Sequence, residues 1–129
     1  MTNTLLNITR MLVRITGLLQ LVLGVLFWLK IGQPLIPVHI LSGLIMVLGL
    51  WFIAIMAGRS GASVWMVVLA VVWGLIVFGL GMSQAKIMLG PAHWVIQVVH
   101  LLIGIGAIGL AEGLAMKIKT PSVPALSVK

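Results

Sequence analysis

The chain has 129 residues, of which 62% are hydrophobic and 7% charged, and a mean hydropathy of +1.32; soluble domains carry roughly 25% charged residues, so a soluble globule is excluded. Eight Lys and Arg against a single acid, Glu112, give a formal net charge of +7, but the bases are scattered between apolar runs and form no patch of the kind that binds nucleic acid. The absence of cysteine excludes disulfides, thiolate metal sites, iron–sulfur clusters and covalently attached c-type haem.

A helix needs about 20 apolar residues to cross a hydrocarbon core, and four charge-poor stretches of that kind follow one another. The first predicted span covers 11–29 and is preceded by a flanking segment, 1–10. Behind it, Ile31-Gly32-Gln33-Pro34 offers no small-x-small cleavage site, so the stretch reads as a span and not as a signal peptide. The second span covers 37–57, with Pro37 in the first turn, where a missing N–H costs nothing. The third covers 64–82, and the fourth, opened by Pro91, covers 91–116. Residues 120–129 contain Pro121 and Pro124 and no helical periodicity, and are expected to be a disordered tail. Continuous apolar runs do not suit a barrel. The expected fold class is all-α, an integral membrane four-helix bundle occupying 11–119.

Arg10, Arg14, Arg59, Lys117, Lys119 and Lys129 fall at one end of such a bundle, and only Lys30 and Lys86 at the other. Basic residues concentrate on the cytoplasmic side. Both termini are therefore expected inside, and the protein is expected in a bacterial inner membrane.

The fourth span carries His93, Gln97, His100, Gly104, Ala107 and Ala111 at spacings of three and four, which places them on one stripe. The first repeats this with Arg10, Arg14, Gly17, Gln20 and Gly24, and the third with Ala70, Gly74, Phe78 and Gly81. The second offers His39, Gly43 and Met46, flanked by Ser42. Small and polar residues face the interior of any membrane bundle, but ionisable residues at membrane depth mark functional sites by default.

Val38-His39-Ile-Leu-Ser-Gly43 and Val99-His100-Leu-Leu-Ile-Gly104 share one pattern on spans that run in the same direction. A histidine followed one turn later by glycine offers an imidazole ligand and leaves room for a flat macrocycle, with Gly24 and Gly74 or Gly81 opening the other walls. At about 1.5 Å per residue, His39 lies roughly 30 Å of helix from Arg59, and His100 and His93 roughly 26 and 36 Å from Lys117. This ruler pairs His39 with His100. The likeness of Pro37-Val-His39 to Pro91-Ala-His93 favours His93 instead. Gln97 and Ser42 are expected to orient the imidazoles, with helix packing as the plainer alternative. Arg14 and Glu112 are expected to form an ion pair.

Four membrane helices with histidines on two parallel ones resemble small membrane-embedded b-type cytochromes and the haem-bearing anchor subunits of respiratory dehydrogenases. The stretch from His93 to Gly104 also looks like a pattern in small uncharacterised bacterial membrane proteins. The cytochrome resemblance implies haem b, with His39 and His100 as the metal ligands and electron transfer to or from a quinone or partner protein. The chain would then be an electron-transfer subunit and not a stand-alone enzyme, its partners being the lipid bilayer and other membrane subunits or further copies of itself. His93, about 10 Å in rise from His100, would bond a propionate. Three alternatives stay open: a chlorophyll-type pigment held by one histidine, a structural or assembly subunit without cofactor, and a small transporter. Small multidrug transporters carry a membrane-embedded glutamate in helix 1, where this chain has Arg14 and Gln20 instead.

Overall fold

The computed structural model describes residues 2–119; the expected tail at 120–129 lies outside the described residues. Four helices make up the fold: α1 (Thr2–Trp28), α2 (Ile36–Arg59), α3 (Val64–Ser83) and α4 (His93–Lys119). Each is long and apolar enough to cross a membrane, and no strand occurs among the described residues.

The helix ends differ from the expected spans in informative ways. α1 begins at Thr2, so most of the expected flanking segment is helical. It is drawn into the bundle because Leu6 is 1% exposed and Arg10 reaches α4. α2 begins one residue before Pro37, as its fixed φ favours. α4 begins at His93 and not at Pro91, because Gly90 turns the chain at φ 93° and the His93 amide bonds to the Gly90 carbonyl at 3.1 Å. The α2–α3 connection is equally tight: Gly61, at φ 92°, lets the Ala62 amide return to the Ala57 carbonyl at 2.9 Å.

The helices run alternately up and down, and α2 and α4, which are parallel, pack on each other across the bundle. Each of the four outer seams carries a polar link. Arg10 and Arg14 bind Glu112 between α1 and α4. The Gln20 amide donates to the His39 carbonyl at 2.6 Å between α1 and α2. The Trp51 indole donates to the Val71 carbonyl at 3.3 Å between α2 and α3, and the Trp73 indole to the Ile103 carbonyl at 2.9 Å between α3 and α4. These donors rest in glycine notches: a Cβ on Gly43 would lie 2.6 Å from the Gln20 amide nitrogen, and one on Gly106 would lie 2.8 Å from the Trp73 ring. Gly74 makes the same room for Trp51. Gly74 was expected to open a cofactor slot; it is instead buried beneath an indole.

The half of the bundle that contains the chain's N-terminus is closed by Leu6, Val13, Leu50, Ile53, Ala54, Ala57, Leu114 and Ala115, each at most 1% exposed. In the same half, the Arg14 Nε donates to Glu112 Oε1 at 2.6 Å and its Nη2 to Oε2 at 2.9 Å. The Arg10 Nε donates to Oε2 at 2.7 Å. Glu112 thus binds the expected Arg14 and a second guanidinium as well. Glu112→Ala leaves the two cations facing each other, and is expected to lower stability in detergent by roughly 1–3 kcal/mol. Arg14→Ala is expected to cost less, because Arg10 still neutralises the carboxylate. The double variant Arg14→Ala/Glu112→Ala should unfold later than Glu112→Ala alone, as read from denaturation midpoints; additive effects would count against the cluster.

Candidate functional site

The opposite half of the bundle is open. There the four helices surround a cleft with about 1040 Å³ of atom-free space, part of it exposed to the outside. α1 contributes Gly17, Gln20, Gly24 and Phe27, and α2 His39, Gly43 and Met46. Phe78 and Gly81 come from α3, and Gln97, His100 and Gly104 from α4. The inward stripes expected from spacing therefore converge on this cleft only in part: Arg10, Arg14, Ala70, Gly74, Ala107 and Ala111 lie in the closed half, and His93 lies outside the cleft.

His39 and His100 face each other across it, with ring centroids 6.4 Å apart and planes inclined by 55°. The pairing is the one that helix depth predicts: His39 stands in the first turn of α2, and His100 two turns into α4. His93, the first residue of α4, lies outside the pair and is held through Nδ1 by the Ile87 carbonyl at 3.2 Å. Phe27 packs edgewise on His39 with centroids 5.3 Å apart. Its position after the last glycine of the α1 stripe gave no polar signal by which composition could single it out.

Both imidazoles lack partners. The Nδ1 atoms of His39 and His100 are buried with no hydrogen bond. Ser42, expected to orient an imidazole, instead sends its hydroxyl to the His39 carbonyl at 3.2 Å, as a helical serine does with the turn behind it. The Gln20 amide caps the same carbonyl and also reaches Ser42 Oγ at 3.1 Å. These bonds hold the backbone at His39 and leave its ring free. Gln97 lines the cleft but makes no hydrogen bond to either ring. A buried polar atom without a partner costs about 1–3 kcal/mol, so neither ring gains stability from its Nδ1.

The glycines sort into two kinds. Gly43 is filled by Gln20, and Gly81 by His100, whose Cε1 would lie 3.2 Å from an added Cβ. Gly24 and Gly104 are empty: an added Cβ would meet nothing within 4 Å. Of Gly24, Gly43, Gly74, Gly81 and Gly104, only Gly24 and Gly104 are therefore left unfilled by a side chain. At its outer end the cleft continues, past Phe27, Trp28 and Gln97, into a mouth lined by Lys30 and His93. Lys30 holds a left-handed backbone, φ 61°, immediately after α1.

Among the described residues, no group of three or more His, Asp, Glu or Cys that could hold a metal ion occurs. Comparison with family models, curated proteins and solved structures finds no match to this chain.

The unpartnered nitrogens generate a stability prediction. In protein prepared without any added ligand, His39→Leu and His100→Leu are each expected to leave the denaturation midpoint unchanged or to raise it, because each removes an orphaned nitrogen while keeping apolar volume. Loss of more than about 1 kcal/mol in either variant would show that the rings are structural.

Proposed function

We propose that this chain is a membrane-embedded haem b protein that passes electrons to or from a quinone or a partner protein as a subunit of a larger assembly. The observation that carries the reading is the His39–His100 pair, 6.4 Å between ring centroids, across an open apolar cleft. A metal–imidazole bond of about 2 Å on each side, with half a ring beyond it, spans about 6 Å between ring centres. A chlorophyll-type pigment takes one imidazole and would leave the other orphaned, so the pair favours haem.

When bound, haem supplies reversible one-electron chemistry. The chain's residues do the rest. His39 and His100 would ligate the iron, Gly24 and Gly104 would leave room for the group, and the Gln20–Ser42 bonds fix the α2 turn that bears His39. The apolar walls would limit the access of water, and Lys30 and His93 at the mouth would be placed to meet carboxylates. His39 lies twenty residues from the far end of α2, about 30 Å of helix. A single haem therefore serves one face of the membrane, and electrons that cross require a second carrier from a partner.

Wild-type protein titrated with haem is expected to bind it in equal ratio, with the spectrum of a bis-imidazole complex. His39→Ala and His100→Ala should weaken uptake at least about tenfold or leave an open iron position, whereas His93→Ala should retain it. A protein that takes up no haem would return the histidines to packing, as in a cofactor-free structural subunit. Chlorophyll bands in protein purified from its source would make it a pigment carrier.

We also propose insertion in a bacterial inner membrane with both termini in the cytoplasm. Arg59, Lys117 and Lys119 lie at the helix ends of the closed half, against Lys30 and Lys86 at the open end. Reporter domains fused after Lys129 should be active only as cytoplasmic reporters, while one inserted at Gln33 should report the outer face.

A further inference from the structure

Glu112 is the chain's only acid, and it is shared by two guanidinium groups. The cluster therefore carries one positive charge in excess. Its members differ in exposure: the Arg10 side chain is 19% exposed and Glu112 24%, but Arg14 is 51% exposed on the outer side of the α1–α4 seam.

The depth of the cluster makes this excess costly. A Cβ on Gly49 would touch Val13, so Val13 and Gly49 share a level, and Gly49 precedes the end of α2 at Arg59 by ten residues, about 15 Å. With a hydrocarbon core of about 30 Å and an α2 of about 36 Å, the Arg14 backbone lies roughly 12 Å inside the nearer edge. The Arg14 guanidinium is held by Glu112, seven residues, about 10 Å of helix, before the end of α4 at Lys119. A second copy of this chain brings its own Glu112 together with two more arginines, and so no net negative charge.

We propose that Arg14 is the docking point for a transmembrane helix of a different subunit, one that carries an aspartate or glutamate at this depth. Charge complementarity identifies the occupant, because only a carboxylate within the membrane neutralises the excess cation at its own level. The adjacent face of α4 suits a helix: Gly109 and Gly113 lie beside Glu112, and an added Cβ on either would meet nothing within 4 Å, so a second backbone can approach closely. The site lies in the closed half of the bundle and does not depend on what fills the cleft.

The test uses the full chain in phosphatidylcholine nanodiscs and two fluorescent polyleucine transmembrane peptides, one with a central glutamate and one with glutamine in its place. The glutamate peptide is expected to bind roughly five- to thirtyfold more tightly, and Arg14→Leu, which keeps the Arg10–Glu112 pair, should abolish the difference. Equal binding of the two peptides, or a preference that survives Arg14→Leu, would overturn the proposal. So would phosphatidylglycerol alone, if it erased the preference in wild-type protein, since a lipid would then be the anion at Arg14.

Discussion

In hydrocarbon, burying an apolar side chain between helices gains almost nothing over leaving it in lipid, so a bundle must be held by close packing and by polar bonds that have no competing water. Every seam here carries such a polar bond. Three of the four polar links end on a helix carbonyl, at His39, Val71 and Ile103, whose oxygen has a second lone pair to give beyond its helical bond. The donor must come within about 3 Å of a backbone, and only a glycine beneath it leaves that space. Gln20 over Gly43, Trp51 over Gly74 and Trp73 over Gly106 are three cases of one device.

The device also explains where the cleft is. In the closed half, Ala54, Ala57, Ala111 and Ala115 let the helices meet directly, and side chains from facing helices leave no gap. In the open half the spaces beside Gly24 and Gly104 receive no side chain from a neighbour. A bundle that needed only to pack would fill those positions, since glycine in a helix costs about 1 kcal/mol relative to alanine. The same half contains the two imidazoles without partners. Unfilled glycine notches and unpartnered imidazole nitrogens therefore occur together in this half.

Much of this was legible in the chain itself, because membrane helices write their buried faces as polar and small stripes. The element order, the inward placement of Gln20, His39, Gln97 and His100, and the contact of Arg14 with Glu112 all follow from residue spacing. Depth counting paired His39 with His100 and set His93 apart. What spacing cannot convey is which neighbour fills each notch: Gly24, Gly43, Gly74 and Gly104 look alike in sequence, yet Gln20 and Trp51 occupy the space at two of them. Spacing sets Arg10 on the inward stripe of the first span, but a span counted from 11 leaves it in the flank, and it reaches the carboxylate because α1 continues back to Thr2.

The two halves of the bundle therefore carry opposite energetic roles. The closed half binds α1 to α4 through a carboxylate shared by two arginines, over a core in which the largest side chains are fully buried. That rigidity is what permits the open half to keep a cleft and unsatisfied rings without collapsing, since the lower turns fix the direction of all four helices. Phe27 against His39 and the Gln20–Ser42–His39 bonds then set the position of one imidazole from below and beside it, while Gly81 admits the other. One half of the bundle is thus tied by charge and close packing, and the other leaves the Nδ1 atoms of His39 and His100 without hydrogen bonds.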